Sequence, residues 1–244
     1  MVYKMTIQYD GSYFSGWQIQ NNQNTVQGLI ESTLQKILKH HDRIKVHGAG
    51  RTDAGVHAKG QVAHAELNTK MKKEDIKNAL NANLPRFCRI MNIERVDKDF
   101  HSRYDAISRQ YIYQCYTGDL ILNNNQTWMV PELDINLLNR LAKSCTGLNN
   151  FLSFSKFNKN IKNTDCLVFE SYWLKYNDMY SFHIKANRFL HHMIRYLVGS
   201  MVNVSSKRML ISEFRTLLDK PEKEVKIFKA PARGLILDKI NYER

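Results

Sequence analysis

Hydrophobic and polar positions alternate with the period of a strand from the first residues: Val2-Tyr3-Lys4-Met5-Thr6-Ile7-Gln8-Tyr9. Asp10 to Gln18 follows as a turn-rich segment carrying Tyr13, Phe14 and Trp17. Most of these aromatics are expected to plug the core beneath the loop rather than to stack on bases or sugars. Asn24 or Thr25 caps a helix in which Val26, Leu29, Ile30, Thr33, Ile37 and Leu38 keep helical spacing, so one face is buried. Ile44 to His47 reads as a short strand, and Gly60 to Leu67 alternates again. Lys72 to Asn83 is a second helix, apolar at Ile76, Ala79 and Leu80 and ended before Pro85, and Arg89 to Val96 returns as a strand. The first half is therefore strand, helix, strand, strand, helix, strand, an α+β arrangement.

The second half repeats the alternation of element types without repeating the sequence. Ser108 to Tyr116 is a tyrosine-rich strand with Tyr111 and Tyr113 on one face and Ile112 on the other. Taken alone, a tyrosine there is more often core or cross-strand packing than a ligand contact. Asn136 to Cys145 is a helix stopped by Gly147, and residues 166–176 and 179–186 form a hairpin around the turn pair Asn177-Asp178. Asn187 to Arg195 opens a long helix with an apolar stripe of Phe189, Met193, Ile194, Leu197, Val198 and Met201, which puts Arg188 and Arg195 together on the opposite side. A further helix starts at Ser212, and Pro231 to Leu237 turns into a closing strand. No low-complexity linker separates the halves, which are read as subdomains 1–105 and 106–244. Between them, Phe100 to Ala106 is either a solvated crossover or a phosphate-contacting stretch.

Composition narrows the classes of function. Hydrophobic residues make up 43% of the 244, which excludes global disorder. Lys and Arg number 36 against 23 Asp and Glu, a formal charge of +13 that favours a polyanionic partner such as nucleic acid, with lipid surfaces and simple solubility as other readings. No run of about 18 apolar residues is present to span a membrane, and the N-terminus enters a strand without a secretory apolar core. Cys88, Cys115, Cys145 and Cys166 are widely spaced, so they read as partly buried thiols of a reducing compartment. His191-His192 lacks the spacing of a helical zinc site. The expectation is a cytoplasmic protein without a structural metal.

The chemistry concentrates in Ala49-Gly50-Arg51-Thr52-Asp53-Ala54-Gly55-Val56-His57-Ala58. Two glycines bracket an arginine and an aspartate, and neither flank reads as helix, so the stretch is a tight, shaped loop. A lone carboxylate on a rigid turn beside a cation suits catalysis, although Asp is also an ordinary turn residue. A phosphate cradle is disfavoured, because the loop lacks the Lys-Ser/Thr ending of a P-loop and carries an acid where an anion would sit. A non-catalytic RNA-binding protein explains charge and aromatics but leaves Asp53 without a reason.

Gly50-Arg51-Thr52-Asp53-Ala54-Gly55-Val56-His57 closely resembles the signature of the tRNA pseudouridine synthase A family. Tyr9-Asp10-Gly11 with Gly16-Trp17-Gln18, Asn149-Asn150-Phe151-Leu152-Ser153-Phe154, and Lys185-Ala186-Asn187 running to His191-His192-Met193-Ile194-Arg195 and Gly199 are similar to further segments of that family. Phe100 to Ala106 is similar too, and the flanking positions Lys59 and Arg233 differ among family members. The resemblance implies the pseudouridine synthase fold, two similar α+β subdomains with antiparallel sheets around a basic central cleft. It implies isomerisation of uridines at positions 38 to 40 in the anticodon arm of tRNA, by a homodimer and without cofactor or metal. By the same resemblance Asp53 is the nucleophile, Arg195 its counter-ion, Tyr111 the residue against the target base, and Arg51 the side chain that fills the stack a flipped base vacates.

Overall fold

The computed structural model describes residues 1–118 and 124–243. The chain divides into two compact units, residues 1–107 with 236–244, and residues 108–235. Where the sequence predicts one second subdomain over 106–244, residues 106–107 and 236–244 group with the first unit. In that unit Ile236 and Leu237 pair in parallel with His57 and Ala58, and the Ile107 amide donates to Asn241 O at 2.8 Å. The Tyr242 hydroxyl also donates to Ser102 O at 2.7 Å.

The first unit contains β1 (Val2–Tyr9), α1 (Val26–Leu38), β2 (Val46–Gly48), β3 (His57–Glu66), α2 (Lys73–Asn83) and β4 (Cys88–Val96). The strand order is β4-β1-β3, antiparallel throughout, and β2 adds to β3 along Val46 to Gly48. Inward-facing Tyr3, Met5, Ile7 and Tyr9 alternate with Lys4, Thr6 and Gln8, as the hydrophobic pattern requires for a sheet covered on one face. Thr25 caps α1 by accepting from the Gly28 amide. Buried Phe14 and Trp17 plug the core as expected; Trp17 lies so close to Gly48 that a Cβ there would stand 2.4 Å from the indole.

A buried polar network that periodicity does not predict ties α1 to β2. Glu31 accepts from Arg43 Nε at 2.6 Å, from Gln27 Nε2 at 3.0 Å and from the Val46 amide at 3.0 Å. Gln27 also donates to Val46 O, so the start of β2 is fixed by two side chains from one helix face. A buried carboxylate is tolerated only when satisfied this fully.

The second unit contains β5 (Ser108–Thr117), β6 (Trp128–Val130), α3 (Ile135–Ser144), β7 (Gly147–Asn150), β8 (Asp165–Tyr176), β9 (Met179–Ala186), α4 (Met193–Ser205) and α5 (Ile211–Asp219). Its strands run β5-β9-β8-β7 in antiparallel order, with β6 parallel to β5. β10 (Leu235–Asn241) closes the chain. Asn177 takes a left-handed conformation at the β8–β9 turn, as its residue type allows. Inward Trp173 meets Phe182 and donates from its indole to Met201 Sδ on α4. α3 and α4 thus cover one face of this sheet.

Two expectations change. The helix predicted from Asn187 begins at Met193, because His192 adopts a left-handed backbone (φ 65°) and the Met193 amide closes a turn onto Leu190 O. Arg188 therefore precedes the helix, and the two arginines do not share a helical side. The short strands β6 and β7 escape prediction because three or four residues give no readable period. All four cysteines are free and buried; burial pushes the Cys88 and Cys145 thiols up to about 12 and Cys166 to about 11. No helix among the described residues is long and apolar enough to cross a membrane.

Gly199 sets how closely α4 approaches the chain that follows α5, since a Cβ there would lie 2.1 Å from Phe228 O. Gly199→Ala should cost about 1–3 kcal/mol as the helix is forced off that segment. Urea unfolding checks this, and an unchanged midpoint would contradict the packing.

Candidate active site

In the first unit, the loop from Gly50 to Val56 is held from beneath by the segment that follows β1. The Trp17 amide donates to Thr52 O at 3.1 Å and the Gly55 amide to Phe14 O at 3.4 Å. Gly16 sits at φ 105° with its missing Cβ 2.8 Å from Thr52 O, and a Cβ on Gly11 would meet Val56 O at 2.1 Å. Two backbones this close admit only glycine at the contact. Buried Thr52 shares a 2.7 Å hydrogen bond with the Tyr9 hydroxyl at the end of β1. Gly55, at φ 78°, and the Val56 amide, donating to Asp53 O, close the turn.

The upstream side is pinned as well. The Ala49 amide donates to Val62 O at 2.8 Å, and fully buried Gln61 donates from Nε2 to Gly50 O at 2.9 Å. Gln61 stands at an inward position of an alternating strand; a polar residue there is the signal that could have marked it. Clamped at both ends, the loop presents Asp53 half-buried and Arg51 exposed, two residues apart. Gly50 differs from Gly11 and Gly16: a Cβ would meet no atom of the described residues within 4 Å, so the fold does not demand glycine there.

The other two candidates lie in the second unit. Tyr111 is inward on β5, opposite Ile184, only 8% exposed, with its ring edge-on to Phe189 at 5.1 Å. Phe189 thus leaves the expected helical stripe and serves as the tyrosine's packing partner. Arg195, in the first turn of α4, donates from Nε to Ala230 O at 2.8 Å while its own carbonyl accepts from the Ala230 amide at 3.0 Å. This two-way clasp orients the guanidinium relative to the segment at Ala230.

Two further residues shape this part of the second unit. The Asn187 amide and side-chain oxygen bracket the backbone of Leu167, and its carbonyl accepts from Arg109 Nη1 at 2.8 Å. Tyr113 is buried two residues along β5 from Tyr111; burial holds its phenol well above the ordinary tyrosine range, and the hydroxyl donates to Pro231 O.

The family model described as tRNA pseudouridine synthase matches residues 5–105 and 141–243 of this chain. A protein named tRNA pseudouridine synthase A from Phytoplasma mali (strain AT) is 35% identical over 241 residues, covering 98% of both chains. One of the same name from Dictyoglomus thermophilum is 39% identical over 247 residues, covering 98% of this chain and 99% of that one. A solved structure described as the archaeal box H/ACA sRNP Nop10-Cbf5 complex aligns with a TM-score of 0.35 at 10% identity, over 82% of this chain and 43% of that chain.

The glycines make opposite predictions. Gly16→Ala should destabilise the first unit by about 1–3 kcal/mol through its positive φ and the crowding at Thr52 O. Gly50→Ala should leave the thermal midpoint near that of the unmodified protein. Equal effects at the two positions would contradict the clamp.

Proposed function

The chain belongs to the tRNA pseudouridine synthase family and is an isomerase, and from that premise we propose that it acts on uridines 38 to 40 of the tRNA anticodon arm with Asp53 as nucleophile. The observation that carries this reading is the clamped loop: a single carboxylate, half-buried and held by backbone contacts on both sides, next to an exposed arginine.

Pseudouridine formation breaks the C1′–N1 bond, turns the uracil and joins C5 to C1′. The C5 hydrogen leaves to solvent and N1 regains a proton, so the reaction balances without an oxidant, reductant or cofactor. In this reading Asp53 forms the transient covalent bond that carries the substrate through the exchange. Arg195 is the proposed counter-ion, its head group oriented by the bond to Ala230 O. A rigid cation is useful here because it is already in place when RNA displaces water. Tyr111, braced by Phe189, is the proposed residue against the target base.

A stem uridine is out of reach until its base leaves the helix, at a cost of a few kcal/mol. Arg51, exposed on the nucleophile's own loop, is the proposed occupant of the vacated stack. The bare backbone at Gly50 suits a close approach of the RNA strand. Recognition then rests on tRNA shape and phosphates, which the charge of +13 favours.

We also propose a homodimer, supported by the outward face of the second unit's sheet. The bulge between Val168 and Glu170 leaves Phe169 and Glu170 both outward, in line with exposed Leu167, Tyr172 and Leu174 of β8 and Leu148 of β7. A sheet with helices on one face ordinarily turns polar residues to water on the other. On this face Glu170 and Lys185 pair with each other at 3.1 Å. So apolar a stripe on a chain this basic suits a second copy better than a phosphate backbone.

Two measurements test these readings. Asp53→Asn should abolish tritium release from tRNA transcripts labelled at uracil C5 while keeping tRNA affinity within about threefold; retained release would contradict the nucleophile. The protein should sediment as a dimer at micromolar concentration, and Leu167→Glu with Leu174→Glu as a monomer. A monomeric starting protein would contradict the interface.

A further inference from the structure

Within the first unit, the turn after β4 carries a ring stack that the proposed catalytic role does not use. His101 Nδ1 accepts from the amides of Arg103 and Tyr104 at 3.1 and 3.3 Å, and the His101 amide donates to Asp105 Oδ2 at 2.8 Å. The Asp105 amide returns to His101 O, so residues 101–105 form a closed turn with little freedom. Ser102 nails this turn to the sheet: its amide donates to His64 Nδ1, its hydroxyl to His47 O, and its carbonyl accepts from Tyr242.

The rings form a contiguous cluster. His47 and His64 are stacked at 5.0 Å, the His101 ring stands edge-on to His64 at 4.8 Å, and Tyr104 lies tilted on His101 at 4.3 Å. Tyr104 ends this series with 75% of its surface exposed, and the Arg103 guanidinium stands 5.9 Å from its ring. Phe100 closes one side against His64, with Lys4 over Phe100 and Tyr242. The Asp105 carboxylate is engaged by the turn itself. Burial and the two neighbouring histidines push His64 down to about 4, so this ring stays neutral near neutral pH.

Holding an exposed aromatic ring in place before binding removes much of the entropy cost of binding. A flat ring with an adjacent cation on a strongly basic chain matches the two things single-stranded nucleic acid offers, a base face and a phosphate. We infer that the 101–104 turn is a second RNA-contacting platform, on which Tyr104 stacks against an unpaired nucleobase and Arg103 meets a neighbouring phosphate. His47 belongs to β2, the strand that leads directly into the Gly50–Val56 loop, so the platform and the nucleophile's loop share one anchored element. The inference rests on the RNA reading above and adds a contact outside the nucleophile's loop.

The test is equilibrium binding of an unmodified tRNA transcript at several salt concentrations, with thermal midpoints confirming that each variant is folded. Tyr104→Ala should weaken binding roughly 10-fold or more with an unchanged salt slope, and Tyr104→Phe should bind like the unmodified protein. Arg103→Gln should make the slope of log affinity against log salt shallower by about 0.7 to 0.9, one phosphate's share. Affinity and slope unchanged in both Tyr104→Ala and Arg103→Gln would overturn the platform alone. An unmodified protein that fails to bind tRNA would overturn the functional reading together with it.

Discussion

The structure of the first unit depends on one close approach, the packing of the backbone at Gly11 and Gly16 against the backbone of Val56 and Thr52. Side chains at either glycine would push the loops apart, and the amides of Trp17 and Gly55 could no longer reach their acceptors. Hydrogen bonds formed between two loops fix neither loop unless each is fixed elsewhere. Here Tyr9 ties Thr52 to β1, and Gln61 ties Gly50 to β3. Asp53 is thus positioned through its neighbours' backbones. A loop held this way suits a proposed nucleophile, whose carboxylate must be placed before substrate arrives.

The second unit solves a similar problem with side chains. Asn187 copies a strand's donor and acceptor onto Leu167, and Arg109 secures its carbonyl. The chain can then leave β9, make the left-handed turn at His192 and start α4 with Arg195 in its first turn. Had the helix begun at Asn187, Arg195 would sit deep in its body and the clasp with Ala230 would require a different approach of the two segments.

Much of this was legible in the sequence. The alternation of β1, the capped stripe of α1 and the β8–β9 hairpin follow from local periods and turn residues, which act over a few residues. The exposed Arg51 beside Asp53 was legible from the signature itself. Features made by distant partners were not: Gln61 reaching Gly50, Glu31 gathering Arg43 and Val46, and β10 returning to β3. The stripe drawn through Phe189 failed because helical spacing continues formally through residues whose backbone turns at His192. In the same way, nothing in Phe100 to Ala106 announces that His101 and Tyr104 join a ring cluster with His47 and His64.

The most direct measurement is to map pseudouridine, nucleotide by nucleotide, in unmodified tRNA transcripts after incubation with the protein. Chemical labelling that stops reverse transcription at pseudouridine locates each product. The account predicts new stops confined to positions 38 to 40 of the anticodon arm, without added metal or cofactor. Stops elsewhere in the tRNA would contradict the assigned substrate site, and no stops on tRNA that the protein binds would contradict the isomerisation itself.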